Sequence, residues 1–576
     1  MTITAEPQAS QQANDVQSIR RRLSRVFGQP LIIIALGLLL LIVIAFVLYP
    51  LSQVLTESFR VNGEWSLGNY ERVFSRTYFR HTIYNTFVIA SLSTLGAVFI
   101  GFIFAFGVTR TAMRGKNFFT LVSILPLITP PFFSAFAFIL LMGRNGLVNQ
   151  FLFQNFGFRV NIYGWHGVVI AQSLTMFPIA FLTLTAALSS IDPRLEEAAS
   201  DMGAKFWYTL RRITLPLLTP AFFSAAILIF MFNISAFGIP AILGSRGLIW
   251  PNGSMLGPEA ILQILGSSRN LGIGSTLAIL MLVPSFGLFL FRDWYVKRRS
   301  YITVTGMPTA FSPRPAPKYI TFSVTAFCTS ISLIILSLYA VIFAGAVTRT
   351  WGVDFSLSDR HLQAVRQVSM DGIRNSLMLS MGGAIIASLL GVFIAYVLTR
   401  WRFPGRSAFN FMAMLPYALP GLVMGLGLAS GYNTGLIVLS GTGLIILINY
   451  AVRRMPFGIE SSKSALSQID GTLEHAAADL GAGWPRVFRR ITLPLLAPTF
   501  FATLTFCFIQ AMTDITAVIF LVSPRWRLMS IDIFNAVQAG RLGVAAALAS
   551  IMIVLIVVVL MVIWRASGLG YRLFKL

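Results

Sequence analysis

Ionisable side chains inside long apolar stretches are the residues of this sequence whose types could do chemistry. Asp514 lies near Gln510 and Thr513 in one apolar run, and Arg453 and Arg454 lie deep in the run before it. A charge within a membrane-spanning segment is costly, so such residues are candidates for lining a path for an ion or solute. Two other readings stay open for the arginines: they pair with Asp514, or they cap the end of a shorter helix.

A second polar group, Asn233 with Ser235, lies in the first half of the chain, at a position in its apolar run similar to that of Asp514 in the second half. We expect the two runs that carry these groups to line a common path. The alternative for Asn233, Gln510 and Asp514 is a structural role, because polar side chains commonly form hydrogen bonds between membrane helices.

The sequence contains no pattern typical of a catalytic or metal site. It lacks a phosphate-binding Gly-x-x-x-x-Gly-Lys-Ser/Thr loop, since the nearest string, at 115–117, has no hydroxyl residue. Cys328 and Cys507 both lie in apolar runs, so neither a disulfide nor a redox pair is indicated. The four histidines are scattered along the chain, at His81, His166, His361 and His475. We therefore expect no catalytic residue, no metal site and no ATP hydrolysis by this chain.

A polar loop that occurs twice is the strongest pattern in the sequence. The two copies are separated by an offset of 278 residues, and each is followed by Ile-Thr-Leu-Pro, at 213–216 and at 491–494. The repeated positions are Glu196, Glu197, Ala198, Ala199 and Gly203 in the first copy and Glu474, His475, Ala476, Ala477 and Gly481 in the second. A repeat of this length indicates a shared role for the two loops.

Each copy predicts a short amphipathic helix. Asp192 is a good N-cap, Pro193 suits the first helical position, and Gly203 can end the helix in a left-handed conformation. The predicted apolar stripes are Leu195, Ala198, Ala199 and Met202, and Leu473, Ala476, Ala477 and Leu480. A single copy could be a connector that rests on lipid headgroups. Duplication at a fixed spacing favours a helix that docks on another protein.

This pattern resembles the EAA loop of the binding-protein-dependent ABC importer permeases. In that family the loop is a cytoplasmic coupling helix that docks into a groove on the ATPase subunit. The resemblance implies that the ten repeated positions couple this chain to an ATPase. His475 stands where the family has a glutamate, so this chain departs from the family at one polar position of the second loop.

Composition places the chain in a membrane. Of its 576 residues 56% are hydrophobic and only 11% are charged, and the mean hydropathy is +0.77. We therefore expect an all-α integral membrane protein with the lipid bilayer as a partner. The net charge of +24 does not indicate nucleic acid, because no zinc-ligand cluster or aromatic-basic motif accompanies it.

Twelve apolar runs are long enough to span a bilayer. They lie at about 31–51, 85–109, 117–142, 166–190, 217–243, 272–291, 320–345, 375–399, 408–432, 438–459, 495–522 and 543–564. If the N-terminus is cytoplasmic, the cytoplasmic segments hold more than half of the 44 Lys and Arg residues, as the positive-inside rule requires. The sequence thus predicts cytoplasmic N- and C-termini and both repeated loops on the cytoplasmic face.

The spans form two parallel six-helix repeats. Upstream of the loops the halves match at an offset of 290 residues, as Asn85 matches Asn375 and Gly101 matches Gly391. The predicted organisation is a cytoplasmic tail at 1–30, a first transmembrane domain at 31–291 with its coupling loop at 191–216, a cytoplasmic linker at 292–319, and a second transmembrane domain at 320–576 with its coupling loop at 463–494.

The chain looks most similar to the ferric-iron permeases of bacteria, which are also fused twelve-span chains. This resemblance implies the type I ABC importer permease fold, an inner-membrane location, a periplasmic substrate-binding protein, and two copies of an ABC ATPase subunit. ATP and Mg would lie on those ATPases, and no cofactor on this chain. Other substrates of the same class remain open: a phosphonate, a sugar phosphate, thiamine or a polyamine. A gradient-driven secondary transporter is a further alternative, with one intramembrane aspartate as thin support.

Overall fold

The computed structural model describes residues 30–244, 253–267, 269–298, 316–401, 403–435 and 437–567. The described residues are mostly helical, and two short antiparallel hairpins are the sheet structure among them. The predicted tail at 1–30 lies almost wholly outside the described residues, as does the middle of the predicted linker, at 299–315.

The first half contains long helices joined by short ones. Its helices are α1 Pro30–Val43, α2 Tyr49–Ser58, α3 Gly68–Ser75, α4 Thr77–Arg110, α5 Lys116–Ile128, α6 Phe132–Met142, α7 Leu147–Phe156, α8 Trp165–Ser190, α9 Pro193–Asp201, α10 Phe206–Thr209, α11 Leu215–Ile234, α12 Gly238–Leu243, α13 Leu256–Leu265 and α14 Leu271–Arg298. A π-helical stretch, Ile44–Leu48, joins α1 to α2, and the hairpin β1 Arg60–Val61 and β2 Glu64–Trp65 follows.

The second half follows a similar order, although no helix equivalent to α7 lies among its described residues. Its helices are α15 Lys318–Val347, α16 Arg360–Val368, α17 Met370–Arg400, α18 Arg406–Ala418, α19 Gly421–Gly431, α20 Gly443–Gln468, α21 Thr472–Asp479, α22 Trp484–Val487, α23 Leu493–Leu495, α24 Ala497–Met512, α25 Met529–Gln538 and α26 Leu542–Ala566. The hairpin β3 Thr348–Thr350 and β4 Asp354–Leu357 lies between α15 and α16. Matching π-helical stretches, Leu210–Thr214 and Phe488–Thr492, precede α11 and α23 at the 278-residue offset.

Every predicted span corresponds to helix. Within the described ranges nine helices are long and apolar enough to cross a membrane, or eleven if each of two bent pairs counts as one span. The bent pairs are α18 with α19, at 106°, and Trp484–Leu495 with α24, at 72°. The tenth predicted span corresponds to α20, a 26-residue helix that carries Arg453 and Arg454 and is less apolar than the others.

Four predicted spans are interrupted. The run at 117–142 is divided into α5 and α6, because Pro130 and Pro131 lack the N–H groups that would continue the helix. The run at 217–243 ends as α11 at Ile234, and α12 follows as a separate short helix. In the second half the run at 408–432 is divided into α18 and α19, and α24 ends at Met512 within the run at 495–522. These differences arise because a run of apolar residues can continue across a break in the helix, which composition alone does not reveal.

The two halves interlock through their first helices. In the first half α2 packs on α19 of the second, and α15 of the second half packs on α5 and α6 of the first. The Tyr49 hydroxyl donates to the Gly431 carbonyl at 3.0 Å, and the Tyr339 hydroxyl donates to the Leu125 carbonyl at 2.9 Å. The halves therefore form one bundle, with an interface between them that can enclose a cavity.

Equivalent glycines allow the closest helix crossings within each half. A Cβ atom on Gly101 of α4 would lie 2.5 Å from the Ala180 Cβ and 2.8 Å from the Phe181 backbone nitrogen of α8. A Cβ atom on Gly391 of α17 would lie 2.6 Å from the Gly458 Cα of α20. Small residues let membrane helices approach in this way. These crossings fix α8 and α20, the helices that lead into the two repeated loops.

Replacing Gly391 by alanine should therefore destabilise the bundle by about 2 kcal/mol, because the new methyl group meets backbone atoms that cannot rotate away. We expect a lower midpoint of thermal unfolding in detergent. Gly287→Ala in α14 is the matched control, since no atom of the described ranges lies within 4 Å of a Cβ atom placed there. Equal midpoints for the two variants would show that the crossing is not as tight as the structure describes.

Candidate coupling loops and the cavity between the halves

The structure places a short helix in each repeated loop. In the first loop the Asp192 carboxylate accepts a hydrogen bond from the Arg194 backbone nitrogen at 3.0 Å, as expected of an N-cap. In the second, the Asp470 carboxylate accepts from the Thr472 backbone nitrogen at 3.0 Å. Gly203 and Gly481 follow the helices with φ of +84° and +81°, the left-handed conformation that glycine tolerates best. The helices are α9 and α21, as the sequence predicts.

Glu196 anchors the first loop to the transmembrane bundle. Its carboxylate lies 3.1 Å from the Arg110 Nε at the end of α4, and it accepts a hydrogen bond from the Thr214 hydroxyl at 3.0 Å. Arg110 also donates to the Leu188 carbonyl of α8 at 2.9 Å. This one carboxylate therefore links α9 to α4 and to the π-helical stretch before α11.

Glu474 anchors the second loop in the same way. Its carboxylate lies 2.9 Å from the Arg400 Nε at the end of α17, and it accepts from the Thr492 hydroxyl at 2.9 Å. Arg400 donates to the Ile469 carbonyl at 3.2 Å. The same three side-chain types thus occupy equivalent positions in both halves, and all of them are buried or half-buried.

Sequence reasoning did not identify the four partners of these carboxylates. They are Arg110, Thr214, Arg400 and Thr492. A signal was present, because Thr-Arg recurs at 109–110 and 399–400, and the threonines belong to the repeated Ile-Thr-Leu-Pro. Arginine and glutamate are 86 residues apart in the first pair and 74 in the second, so no local sequence pattern shows the pairing.

The outer face of each loop helix is apolar and exposed. Met202 is 84% exposed and Leu480 is 89% exposed, and Leu195, Ala198, Leu473 and Ala476 are exposed beside them. The predicted stripe is narrower than expected, because Ala199 is buried against the bundle and Ala477 is half-buried. Glu197 is half-buried, and the side chain of His475 lies outside the described set.

A cavity of about 1200 Å³, which includes its open mouth, lies between the two halves. The first half contributes side chains of α5, α8, α11 and α14, and the second contributes α20, α24 and the junction of α18 with α19. Most of its lining is apolar, and Phe457 stacks on Phe506 at its edge with ring centroids 3.8 Å apart. The polar lining includes four predicted path residues, Ser235, Arg453, Arg454 and Gln510.

One carboxylate holds both arginines. The Asp514 Oδ2 lies 2.7 Å from the Arg453 Nη1 and 3.8 Å from the Arg454 Nη2. Arg454 also donates to the Gln510 backbone carbonyl at 3.0 Å. Asp514 is buried beneath the arginines, so two readings of the sequence hold together: the arginines pair with Asp514 and also line the cavity.

Besides Asp514, two predicted path residues lie away from the cavity lining. Asn233 is fully buried, and its Nδ2 donates to the Thr94 hydroxyl of α4 at 3.2 Å. The Thr513 hydroxyl is buried and donates to the Ile509 carbonyl one turn earlier at 2.9 Å. For Asn233 the structure therefore matches the alternative reading, in which it bonds two helices.

Gly421 is a further residue of this site. A Cβ atom on it would lie 2.4 Å from the Arg453 Nη2 and 2.7 Å from the Arg453 Cζ. The guanidinium of Arg453 therefore fits against Gly421 because the glycine has no side chain. The sequence shows Gly421 as one of several closely spaced glycines, a pattern that indicates helix packing and gives no sign of this contact.

Within the described residues no three His, Cys, Asp or Glu side chains come together in a way that could hold a metal ion.

Comparisons with known proteins identify relatives over most of the chain. The family described as "Binding-protein-dependent transport system inner membrane component" matches twice, at residues 97–301 and 387–567, and these regions include both repeated loops. Ferric transport system permease protein FbpB of Actinobacillus pleuropneumoniae is 30% identical over 547 residues, which is 94% of this chain and 79% of that protein.

Two other relatives extend this comparison. Putative ferric transport system permease protein FbpB 1 of Haemophilus influenzae is 29% identical, and the match covers 88% of this chain and 80% of that protein. Putative 2-aminoethylphosphonate transport system permease protein PhnV of Salmonella paratyphi A is 26% identical over 40% of this chain and 89% of its own length. The two family matches agree with the repeat that the sequence and the structure display.

Proposed function

The chain belongs to the family of binding-protein-dependent transport system inner membrane components, and we propose that it is the permease of an ATP-driven importer of ferric iron. As a member of this family it is a multi-pass membrane protein of the bacterial inner membrane and an ABC importer permease. The proposal adds the substrate, the number of ATPase subunits and the orientation in the membrane.

The observation that carries the proposal is the pair of anchored loops. Each loop joins an exposed apolar helix to the bundle through one half-buried carboxylate, Glu196 or Glu474. A force on either helix would reach the transmembrane helices through these contacts, because α4 and α17 carry the paired arginines. Two equivalent loops favour two ATPase subunits, one at each loop.

This arrangement supports the following working cycle, which is part of the proposal. Two ABC ATPases bind ATP and Mg, close on each other and move α9 and α21 together. The two halves then move as rigid bodies, and the interface between them changes from one packed arrangement to another. A periplasmic binding protein supplies the substrate from the opposite face. Both termini lie in the cytoplasm in this scheme, in agreement with the distribution of Lys and Arg.

Ferric iron is the proposed substrate because two relatives named as ferric transport permeases match almost the full chain. The test is a proteoliposome that contains this chain with its ATPases, supplied with an iron-loaded binding protein. We expect ATP hydrolysis to rise and ⁵⁵Fe to accumulate in an ATP-dependent way. Uptake that needs no ATP and follows an imposed proton or sodium gradient would overturn the proposal.

A phosphonate is the second candidate substrate. Arg453 and Arg454 line the cavity, and guanidinium groups bind phosphate-like oxygens through paired hydrogen bonds. The relative PhnV supports the same candidate over a smaller part of the chain. The assay decides between the two substrates when the binding protein is supplied with 2-aminoethylphosphonate in place of iron, since only one loaded protein should stimulate ATP hydrolysis.

A further inference from the structure

The cavity between the halves carries a net positive charge. Among the described residues that line it, Arg453 and Arg454 are the charged side chains, and no carboxylate is exposed in the lining. Asp514 lies beneath them and can neutralise one of the two positive charges. A positive charge that remains uncompensated within a membrane bundle is costly, so it calls for a negative partner.

The guanidinium groups also have unused hydrogen-bond donors. Each guanidinium has five N–H donors in a planar fork. Arg453 uses one on Asp514, and Arg454 uses one on the Gln510 carbonyl. The Nε of Arg454 is buried and has no acceptor among the residues that the structure describes. Buried donors without acceptors are uncommon in native proteins, and a ligand that supplies oxygen acceptors would satisfy them.

Residues around the arginines hold them in a fixed place. Gly421 leaves room for the Arg453 guanidinium on one side, and Asp514 binds it on the other. Such a group loses little side-chain freedom when it binds an anion, because its position is already set. The site is therefore built into the fold and does not depend on a flexible surface residue.

The charged group is present in only one of the two repeats. At the 278-residue offset the first half has Thr175, Met176 and Ala236 in place of Arg453, Arg454 and Asp514. A purely structural role common to both halves would not need the charges, since the first half folds into equivalent helices without them. One half therefore has a feature that the repeated fold does not require.

A bare ferric ion does not match this lining. Hard cations bind best to carboxylate oxygens, and the described lining offers instead hydroxyl groups such as those of Ser235 and Thr183. The Thr183 hydroxyl already donates to the Ile179 carbonyl at 2.8 Å. The net positive charge would repel a free trivalent cation, whereas it would attract a complex whose outer atoms are anionic oxygens.

We propose that Arg453, Arg454 and Gln510 form a binding site for an oxyanion group, and that iron crosses this chain as an anionic oxyanion complex. The part that concerns iron rests on the proposed function above. The ligand group is a phosphate, a phosphonate or a carboxylate, all of which offer paired oxygens to a guanidinium fork. Arg453 and Arg454 bind the oxygens, and Asp514 and Gly421 position Arg453.

The direct test measures anion binding to the complete transporter, purified with its ATPases in a maltoside detergent that contains no phosphate. The probes are ³³P-phosphate and ¹⁴C-citrate, which separate a phosphorus oxyanion from a carboxylate. The central variant is R453T/R454M/D514A, which gives the second half the uncharged residues of the first and leaves no charge unpaired. We expect the natural chain to bind at least one probe saturably. In this variant the affinity for that probe should be at least about tenfold weaker.

Two further variants make the result specific. R453K/R454K keeps both charges and removes the planar fork, so we expect intermediate binding. R349Q removes an exposed arginine of β3, far from the cavity lining in sequence and on another element, and should bind as the natural chain does. The inference is overturned if neither probe binds, or if the triple variant binds as tightly as the natural chain. It is also overturned if phospholipid copurifies with the natural chain and not with the triple variant, since the site would then hold a lipid headgroup.

A transport measurement separates this inference from the proposed function. Proteoliposomes receive a binding protein loaded with ⁵⁵Fe together with labelled phosphate or citrate, and we expect one labelled anion to enter with the iron. Iron uptake with neither label would overturn the oxyanion inference and leave the iron function intact. Anion binding without any iron-stimulated ATP hydrolysis would overturn the iron function and leave the oxyanion site intact.

Discussion

Replacing Met202 and Leu480 together by aspartate is expected to detach the ATPase subunits from this chain. Both side chains project from the outer faces of the loop helices, and they are 84% and 89% exposed in the structure. A substitution at such a position changes the stability of the isolated chain little. In a docked complex, however, each aspartate would be buried in an apolar contact without a partner.

The expected loss is large because it occurs at both docking sites. An unpaired charge buried in an interface costs about 3 kcal/mol, which weakens binding at each loop by more than about a hundredfold. The measurement is the amount of ATPase that copurifies with the M202D/L480D variant, together with ATP-driven uptake in proteoliposomes. Both should fall to background.

Leu357→Asp provides the matched control. Leu357 is 83% exposed and lies in the β3–β4 hairpin. The spans predicted at 320–345 and 375–399 put this segment on the face of the membrane opposite the loops. The same chemical change there should leave the ATPases bound. Full copurification of the ATPases with M202D/L480D would contradict the docking role of the two loops.

The second large effect is expected from Glu196→Ala combined with Glu474→Ala. Each substitution leaves an arginine, the buried Arg110 or the half-buried Arg400, without its carboxylate. Breaking a buried ion pair by removing one partner typically costs about 3 kcal/mol or more. The threonine hydroxyls of Thr214 and Thr492 lose their acceptor as well.

This double variant should separate the loops from the bundle. We expect a lower midpoint of thermal unfolding and the loss of most ATP-driven uptake, because movement of α9 and α21 no longer reaches α4 and α17. Glu197→Ala is the matched control for stability. Glu197 adjoins Glu196 and has no ion-pair partner among the described residues, so its removal should leave the midpoint unchanged. Similar midpoints for Glu196→Ala and Glu197→Ala would contradict the anchoring role of Glu196.

Much of the fold could be predicted from the sequence because the strongest signals are long and repeated. Apolar runs locate the spans, and the two family matches agree with the repeat offset. The loop helices follow from local chemistry, since Asp192, Pro193 and Gly203 specify their own ends. What composition cannot show is a break within an apolar run, such as the one at Pro130 and Pro131.

The sites were less predictable because their contacts join distant parts of the chain. The pairing of Arg453 with Asp514 was one of several readings, and only the packing of α20 against α24 brings the two side chains to 2.7 Å. Asn233 is polar like the cavity residues, yet its side chain forms a hydrogen bond with Thr94 and does not line the cavity. The contact of Gly421 with Arg453 depends on the absence of a side chain, which a sequence pattern cannot indicate.

The central claim is that this one chain carries two docking sites for ABC ATPases. Native mass spectrometry of the complex purified through a tag on this chain tests it most directly. The claim predicts a particle with one copy of this 63.4 kDa chain and two ATPase subunits, and a particle with one ATPase when either Met202 or Leu480 alone is replaced by aspartate. A particle with no ATPase, or with a single ATPase on the unaltered chain, would contradict it.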